Sequence, residues 1–520
     1  MNAKTTMKRA LGMILVILML ALPLASCKKN RGETDGKDTT DSNSNSVSTD
    51  PGSSAPETDE WGQVKVNNDI PDDLNYGGKK VTFLLRPEDR YAREIMKQGE
   101  GSDTVDEKVV QRNREVQEQI GVTLDFNYTA PNGQSDAFNT KIQNEFLAPT
   151  GDFDVVMAYA YYATAPTLRA CYLDLNSNKA KYLNPTKAYW NQSYVSEATY
   201  QDRLYYIVGD MNLSVYDRTM AVYANMKRLG EQGYNNILDT VLDGKWTIEE
   251  MYRIVRDLGY EDLDNNGSIS SADRVALTSI SDSEAYDGFF EACGLASLTE
   301  DSSGVLSFNI SGNQKMEDAL SLVKKLYDQA GVINYNDTNS AHKMFVEGRA
   351  YFLVDVIYRN ESHIAEVRNM TENYAILPLP KYDEAQEKYM TTPQDAYNLM
   401  SVMNTGKTDA AMVSATLELL TSKSYEDVRP YFIENILKIK VTQADNSQAF
   451  RVMGMILDGI TFEKGAIYGS QLNNVTTRVW RNVLKGGTSV SQAWATYGSG
   501  FETKLAEFVD WYVSNPNAGR

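Results

Sequence analysis

The densest run of oxygen ligands in the sequence is Asp262-Leu263-Asp264-Asn265-Asn266-Gly267-Ser268-Ile269-Ser270-Ser271-Ala272-Asp273. Set against a calcium-binding loop, it offers Asp262, Asp264 and Asn266 at the first, third and fifth positions. The Ser268 carbonyl, Ser270 and Asp273 follow at the seventh, ninth and twelfth. Ca²⁺ takes about six to eight hard oxygens, and this spacing wraps them around one point. Gly267 falls where the chain turns sharply, and Ile269 at the usual apolar position. Asp in place of Glu at the last position shortens the bidentate reach, and no exit helix follows. The alternative is an acidic loop held by its own Asx turns. An ion bound here is structural, and nothing else in the sequence requires a cofactor.

Catalytic chemistry on nitrogen or sulfur starts with little material, since 520 residues contain two histidines (His342 and His363) and three cysteines. Gly406-Lys407-Thr408 lacks the glycine a phosphate loop needs at 401, where Ser401 stands. Gly-x-Ser-x-Gly, His-Glu-x-x-His and Cys-x-x-Cys are all absent, so the chain is expected not to be an enzyme. Glycoside hydrolysis needs only two carboxylates, and 70 acidic residues leave that possibility open. The net charge of −19 excludes binding to nucleic-acid phosphates, which calls for a basic surplus. With 32 tyrosines and 6 tryptophans, the composition suits a ligand held by ring faces and hydroxyl hydrogen bonds.

The elements that must position such residues read as alternating strands and helices. Strands are predicted at 81–85, 122–126, 152–157, 203–208, 350–354 and 374–377. Helices are predicted at 105–120, 136–147, 247–259, 314–330, 408–421 and 490–513. The opening strand–helix–strand implies a parallel sheet. Gly331 is placed as the stop of the helix before it. Thr247 and Glu250 read as a capping box with Trp246 as the apolar residue before the cap, a structural role. The N-terminal α/β block is left near 210–225, and strands resume at 350. The fold class is therefore α/β, with two lobes whose connections cross near 210–225 and 340–400. Such folds hold ligands in the crevice at the carboxyl ends of strands. Cys171 and Cys293 are either paired or buried free thiols.

The first 26 residues have a basic start (Lys4, Lys8, Arg9) and a 15-residue apolar run, Ala10–Leu24, too short to span a bilayer. They read as a signal peptide. Leu24-Ala25-Ser26-Cys27 resembles a bacterial lipobox, which implies lipidation of Cys27 and anchoring on the extracellular face of the cytoplasmic membrane. Residues 28–60 contain eleven Ser/Thr and no aromatic, Leu or Ile. They cannot offset the entropy of ordering, and 27–75 is assigned as lipidated Cys and disordered tether. The folded domain is assigned to 76–520.

Four further segments, in order, resemble the extracellular solute-binding proteins (family 1 type) of carbohydrate-uptake ABC transporters. They are Met220-Ala221-Val222-Tyr223-Ala224-Asn225, Gly244-Lys245-Trp246-Thr247-Ile248-Glu249-Glu250-Met251, Phe345-Val346-Glu347-Gly348-Arg349-Ala350-Tyr351-Phe352 and Leu377-Pro378-Leu379-Pro380. The likeness implies a two-lobed periplasmic-binding-protein-like fold with hinge crossings and an interlobe cleft. It also implies a carbohydrate ligand, in particular an oligosaccharide, and importer permease subunits as partners. A surface-anchored glycoside hydrolase and a glycan-tethering protein without a transporter are the alternatives. The longer C-terminal helical section and the many tyrosines depart from the family pattern. Strand ends then supply the candidate ligand contacts Arg86, Glu88, Tyr159, Tyr161, Asp210, Asp355 and Tyr358; the resemblance implies Trp190, in the loop before Asn191-Gln192, and Tyr397 is a further candidate in the Pro-led loop Gln394-Asp395-Ala396-Tyr397.

Overall fold

The structure, a computed structural model, describes residues 64–86, 94–95, 104–128, 135–279, 282–357, 366–367, 369–437 and 446–520. Segment 1–26, Cys27, Glu88, Tyr358 and His363 lie outside the described residues. The chain divides into two units, Met1–Pro56 and Glu57–Arg520, and every described residue belongs to the second. The folded domain starts before residue 76. Ile70 is buried, Val66 and Leu74 pack on the core, and the Lys187 ammonium reaches the Asn67 carbonyl and the Asp69 carboxylate, each at 2.8 Å. Segment 64–75 is thus part of the fold and not of the tether, because its spaced apolar side chains find a surface to cover. No helix among the described residues is long and apolar enough to cross a membrane.

Strand β1 (Lys79–Leu85), helix α1 (Thr104–Ile120) and strand β2 (Val122–Tyr128) form the parallel unit, with Lys79 opposite Val122 and Leu85 opposite Tyr128. Gly121 turns the chain from helix to strand at φ +62°, where an added Cβ would sit 2.2 Å from the Asn75 side-chain oxygen. Only glycine fits there. Helix α2 (Ser135–Leu147) leads into β3 (Val155–Tyr159), parallel to β1. The predicted strand 203–208 does not form. Within that run Ile207 bridges to the sheet, exchanging hydrogen bonds with Met400 at 2.9 and 3.0 Å. Its tyrosines, Tyr205 and Tyr206, are buried in aromatic packing, so the apolar run serves the core and not a ladder.

Lobe two begins at β4 (Met220–Asn225). Helix α3 (Ile248–Leu258) and strands β5 (Tyr260–Glu261) and β6 (Arg274–Ser279) follow. Then come α4 (Asp282–Ala292), the β7 (Leu298–Glu300) and β8 (Leu306–Phe308) hairpin, and α5 (Gln314–Tyr327). Strands β9 (Val332–Asn334), β10 (Ala350–Val356) and β11 (Tyr374–Leu377) complete a sheet of order β11-β4-β10-β6-β5, with β9 paired to β6. Every residue of β4 and β10 is buried, as expected of strands covered on both faces. Helix α5 stops at Tyr327, short of Gly331. Gly331 answers another need: a Cβ there would meet the Gly259 carbonyl oxygen at 2.0 Å, so two backbones close on each other at this point. Thr247 does cap α3, accepting the Glu250 amide at 3.2 Å. The reciprocal half of the box is missing, because the Glu250 carboxylate turns to Arg253 at 2.7 and 2.8 Å.

Strand β12 (Asn398–Val402) returns to lobe one and closes its sheet in the order β12-β3-β1-β2, antiparallel to β3. Among the described residues, three segments run side by side between the lobes. The Met220 amide donates to Thr392 at 3.1 Å, Gln394 to Arg218 at 2.8 Å, and Thr391 to Gly459 at 2.9 Å. The C-terminal section then alternates between lobes. Helix α6 (Ala410–Lys423) packs on α1, and α7 (Asn446–Asp458) on β11. After the third crossing, α8 (Val475–Gly486) packs on α4 and α5, and α9 (Val490–Ser514) follows. Residues 512–520 seat on lobe one. The Arg203 guanidinium donates to the Tyr512 and Asn515 carbonyls at 2.6 and 2.7 Å, and Arg520 pairs with Asp174 at 3.0 Å. Cys171 and Cys293 are separate buried free thiols, each pushed up to about 12 by burial.

Candidate ligand-binding cleft

The lobes and the C-terminal section enclose a cavity of about 610 Å³. Its lobe-one wall is the end of β3 with the turn after it, Tyr159 and Tyr161, facing Gln394, Asp395 and Tyr397 of the second crossing. Lobe two contributes one face of α4, where Asp287 and Glu291 stand a helical turn apart. The third wall is the stretch from Phe462 to Asn482, including Glu463, Arg478 and Arg481.

Hydrogen bonds fix most of this lining. The Tyr159 hydroxyl donates to Asp395 at 2.9 Å, and Arg86 lies over the Tyr159 ring at 4.7 Å. Arg86 is buried, and its guanidinium also donates to the Ala396 carbonyl at 2.7 Å. It braces both halves of the lobe-one wall from behind. Tyr161 extends past Tyr159, their ring centroids 5.8 Å apart, and is 49% exposed. Tyr397 packs edge-on against Phe462 at 5.4 Å, and burial raises its phenol well above the usual range. Across the cavity, Arg481 grips Asp287 through Nε at 2.8 and 3.1 Å. Glu463 accepts hydrogen bonds from Ser297, Leu298, Ala466 and Thr476. Burial, then the nearby Glu463, push the Glu291 carboxyl well above the ordinary carboxylate range.

Of the residues expected from the sequence, Tyr159, Tyr161 and Tyr397 meet at this cavity, with Arg86 directly behind. Trp190, Asp210 and Asp355 do not line it. The Trp190 indole is fully buried and donates to Glu418 at 3.0 Å. Asp210 is buried, accepts the Tyr216 hydroxyl and lies 3.6 Å from Arg429, with burial raising its carboxyl. Its expected place rested on a strand at 203–208; without that strand, Asp210 is not at a sheet's carboxyl edge. Asp355 lies inside β10 opposite Ala221, buried, and accepts the Val356 amide at 2.6 Å. Sequence reasoning missed Asp287, Glu291, Glu463 and both arginines. The four-residue spacing of Asp287 and Glu291 on one helix face was the available signal.

The acidic loop joins β5 to β6 in lobe two, and none of its residues lines the cavity. Carboxylate oxygens of Asp262, Asp264 and Asp273 lie within 4.8 Å of one another. The Gly267 amide donates to Asp262 at 2.8 Å and lowers its carboxyl, while Asn265 and Gly267 take left-handed φ of 56° and 78°. Asn266 bonds Asp264 and Ser268, and Asp273 accepts the Leu263 and Ser270 amides at 2.9 and 2.7 Å. A donor set of hard oxygens in one small volume is the chemistry that suits Ca²⁺.

No protein-family model matches the chain, and no curated protein matches it in sequence. Solved structures do. An ABC transporter solute-binding protein from Thermotoga lettingae bound with α-D-tagatose is 14% identical with a TM-score of 0.51, covering 82% of this chain and 100% of its own. The galacto-N-biose/lacto-N-biose I-binding protein of the ABC transporter from Bifidobacterium longum, in complex with lacto-N-biose, is 10% identical with a TM-score of 0.51, covering 85% and 98%. A family 1 extracellular solute-binding protein from Bifidobacterium longum subsp. infantis is 12% identical with a TM-score of 0.50, covering 84% and 100%. At these identities the likeness is one of fold: the two-lobed solute-binding-protein architecture.

Proposed function

We propose that this protein captures a carbohydrate, in particular an oligosaccharide, outside the cell and delivers it to the permease subunits of an ABC importer. The observation that carries this reading is the interlobe cavity, where the rings of Tyr159, Tyr161, Tyr397 and Phe462 stand among carboxylates and amides. Ring faces stack on the C–H surfaces of sugars, and carboxylates and amides take their hydroxyls. Two neighbours of the same fold were solved with sugars bound. The three-segment crossing supports closure around a ligand, since a few crossing residues absorb such a change. The same reading includes a lipid anchor at Cys27, a tether ahead of residue 64, and a structural Ca²⁺ in the acidic loop. No catalytic step is assigned to the cavity.

Thermal melting of the full chain against a panel of oligosaccharides tests the binding role. A ligand of the folded state raises the midpoint, by about 2.7 kcal/mol of stability at a hundredfold excess over Kd. A panel that shifts nothing refutes the receptor. Chromatography of the same mixtures separates it from a hydrolase, because shortened products accumulating with time mean turnover.

A further inference from the structure

Helix α8 turns one polar face to the cavity, with Asn474, Thr477, Arg478, Arg481 and Asn482 at three- and four-residue spacing. Three of the five are engaged within the protein. Arg481 grips Asp287, the Thr477 hydroxyl donates to the Asn474 carbonyl at 3.4 Å, and the Asn482 carboxamide donates to the Arg478 carbonyl at 2.6 Å. Arg478 and Asn474 differ. Among the described residues the Arg478 guanidinium has neither a hydrogen-bond acceptor nor a carboxylate within ion-pair reach, and the Asn474 carboxamide makes no hydrogen bond. An asparagine at this position ordinarily caps its helix, but Asn474 takes a left-handed φ of 54° and its side chain leaves the first-turn amides alone.

The two free groups stand together. The Arg478 amide donates to the Asn474 carbonyl at 2.9 Å, which sets them one helical turn apart on the same wall. The Tyr497 ring of α9 lies 5.7 Å from the guanidinium and steadies it. No carboxylate of the cavity is spare to pair with it. Asp287 is taken by Arg481, Asp395 accepts the Tyr159 hydroxyl at 2.9 Å, Glu463 lies in a ring of donors, and burial holds the Glu291 carboxyl neutral. The wall keeps N–H donors and a positive charge that no ion pair answers. A sugar hydroxyl would accept one hydrogen bond and leave the charge. A carboxylate brings two oxygens for the guanidinium fork, a further lone pair for the carboxamide, and the countercharge.

We propose that the ligand is an acidic sugar whose carboxylate is received by Arg478 and Asn474, so that the cavity selects uronic acids over neutral hexoses. This inference rests on reading the cavity as a sugar site.

The test is calorimetric titration of the full chain at neutral pH and moderate salt. Matched sets in the gluco, galacto and manno series carry a hydroxymethyl, a carboxylate or its methyl ester at C5, each as monosaccharide and oligosaccharide. The carboxylates are expected to bind about tenfold or more tighter than both neutral counterparts, the difference between a charged and a neutral hydrogen bond. Arg478→Gln should level the series while melting as wild type does. Arg478→Lys should keep part of the preference, since an ammonium retains the charge without the fork. Asn474→Gly, which suits the left-handed backbone, should weaken uronate binding and leave neutral sugars unaffected. Neutral sugars that bind as tightly as uronates would overturn the acid assignment and leave the receptor standing. A uronate preference that survives Arg478→Gln would place the carboxylate elsewhere and overturn it equally. Binding of no sugar in any series would remove both.

Discussion

Tyr161 and Asp210 separate two kinds of residue that a strand-end rule groups together. Tyr161 is half exposed on the cavity wall, so Tyr161→Ala should weaken sugar binding by about 1 kcal/mol while stability stays within about 0.5 kcal/mol of wild type. Asp210 is buried against Tyr216 and Arg429, so Asp210→Ala should cost about 3–5 kcal/mol of stability by stranding the arginine, with sugar affinity unchanged. Urea unfolding and calorimetry on both variants decide this; the reverse pattern would relocate the site. Glu94 offers a pH signature. It is buried, accepts the Ser214 amide at 2.8 Å and the Asn398 amide nitrogen at 2.6 Å, and burial pushes its carboxyl from 4.5 up to about 7. Between those values the folded state keeps a proton the unfolded state has lost, so this group's contribution falls as pH rises through the window and is flat above it. The loss amounts to about 3 kcal/mol at most, and Glu94→Gln should remove this component from stability measured at pH 5, 6 and 7. At this scale the sequence revealed the Tyr159–Tyr161 cluster because it follows a true strand. It could not reveal Glu463 or Arg481, whose proximity to α4 is made by tertiary packing alone.

Elements carry the next set of consequences. Trp246 is fully buried and donates to the Pro378 carbonyl at 2.9 Å, while its own carbonyl receives the Lys381 amide at 3.1 Å. It fastens the start of α3 to the segment leaving β11. Trp246→Ala should cost about 3–5 kcal/mol, seen as a lower urea midpoint, with sugar affinity retained in the folded fraction. The acidic loop is tested by Asp262→Ala combined with Asp264→Ala. Wild type should melt higher in calcium than in chelator, and the double variant should melt alike in both. A wild type indifferent to calcium means that the loop holds itself by its own hydrogen bonds. The six predicted helices lie within three residues of their expected bounds, since long amphipathic stretches advertise their period, whereas α4, α7 and α8 were not individually assigned. Strands β6 and β12 were not legible, because short strands buried on both faces lack alternation, β9 is too short at three residues to show a period, and 203–208 imitated a strand by being apolar for other reasons.

For the whole molecule, the two lobes follow from the order of elements, and two of the crossings fall where the chain visibly changes character. The third, at 459–461, and the cleft wall after it were hidden in a section without motifs. The N-terminal segment makes its own prediction: Cys27→Ser should abolish incorporation of radiolabelled fatty acid and release the protein from membranes, and label retained in the variant would exclude that cysteine as the anchor. The seat of residues 512–520 on lobe one bears on how the chain is made. Arg203 and Asp174 wait for partners more than 300 positions downstream, as Arg203 to Asn515 spans 312 residues and Asp174 to Arg520 spans 346. During synthesis, lobe one therefore exists for most of elongation as a half-built domain with an uncovered aromatic patch at Tyr200 and Tyr205, whose covering rings at Phe508, Trp511 and Tyr512 come last. Lobe one cannot close before residues 512–520 have been made, so it stays threadable until then, a state that suits passage through a narrow channel and invites chaperone holding on the way.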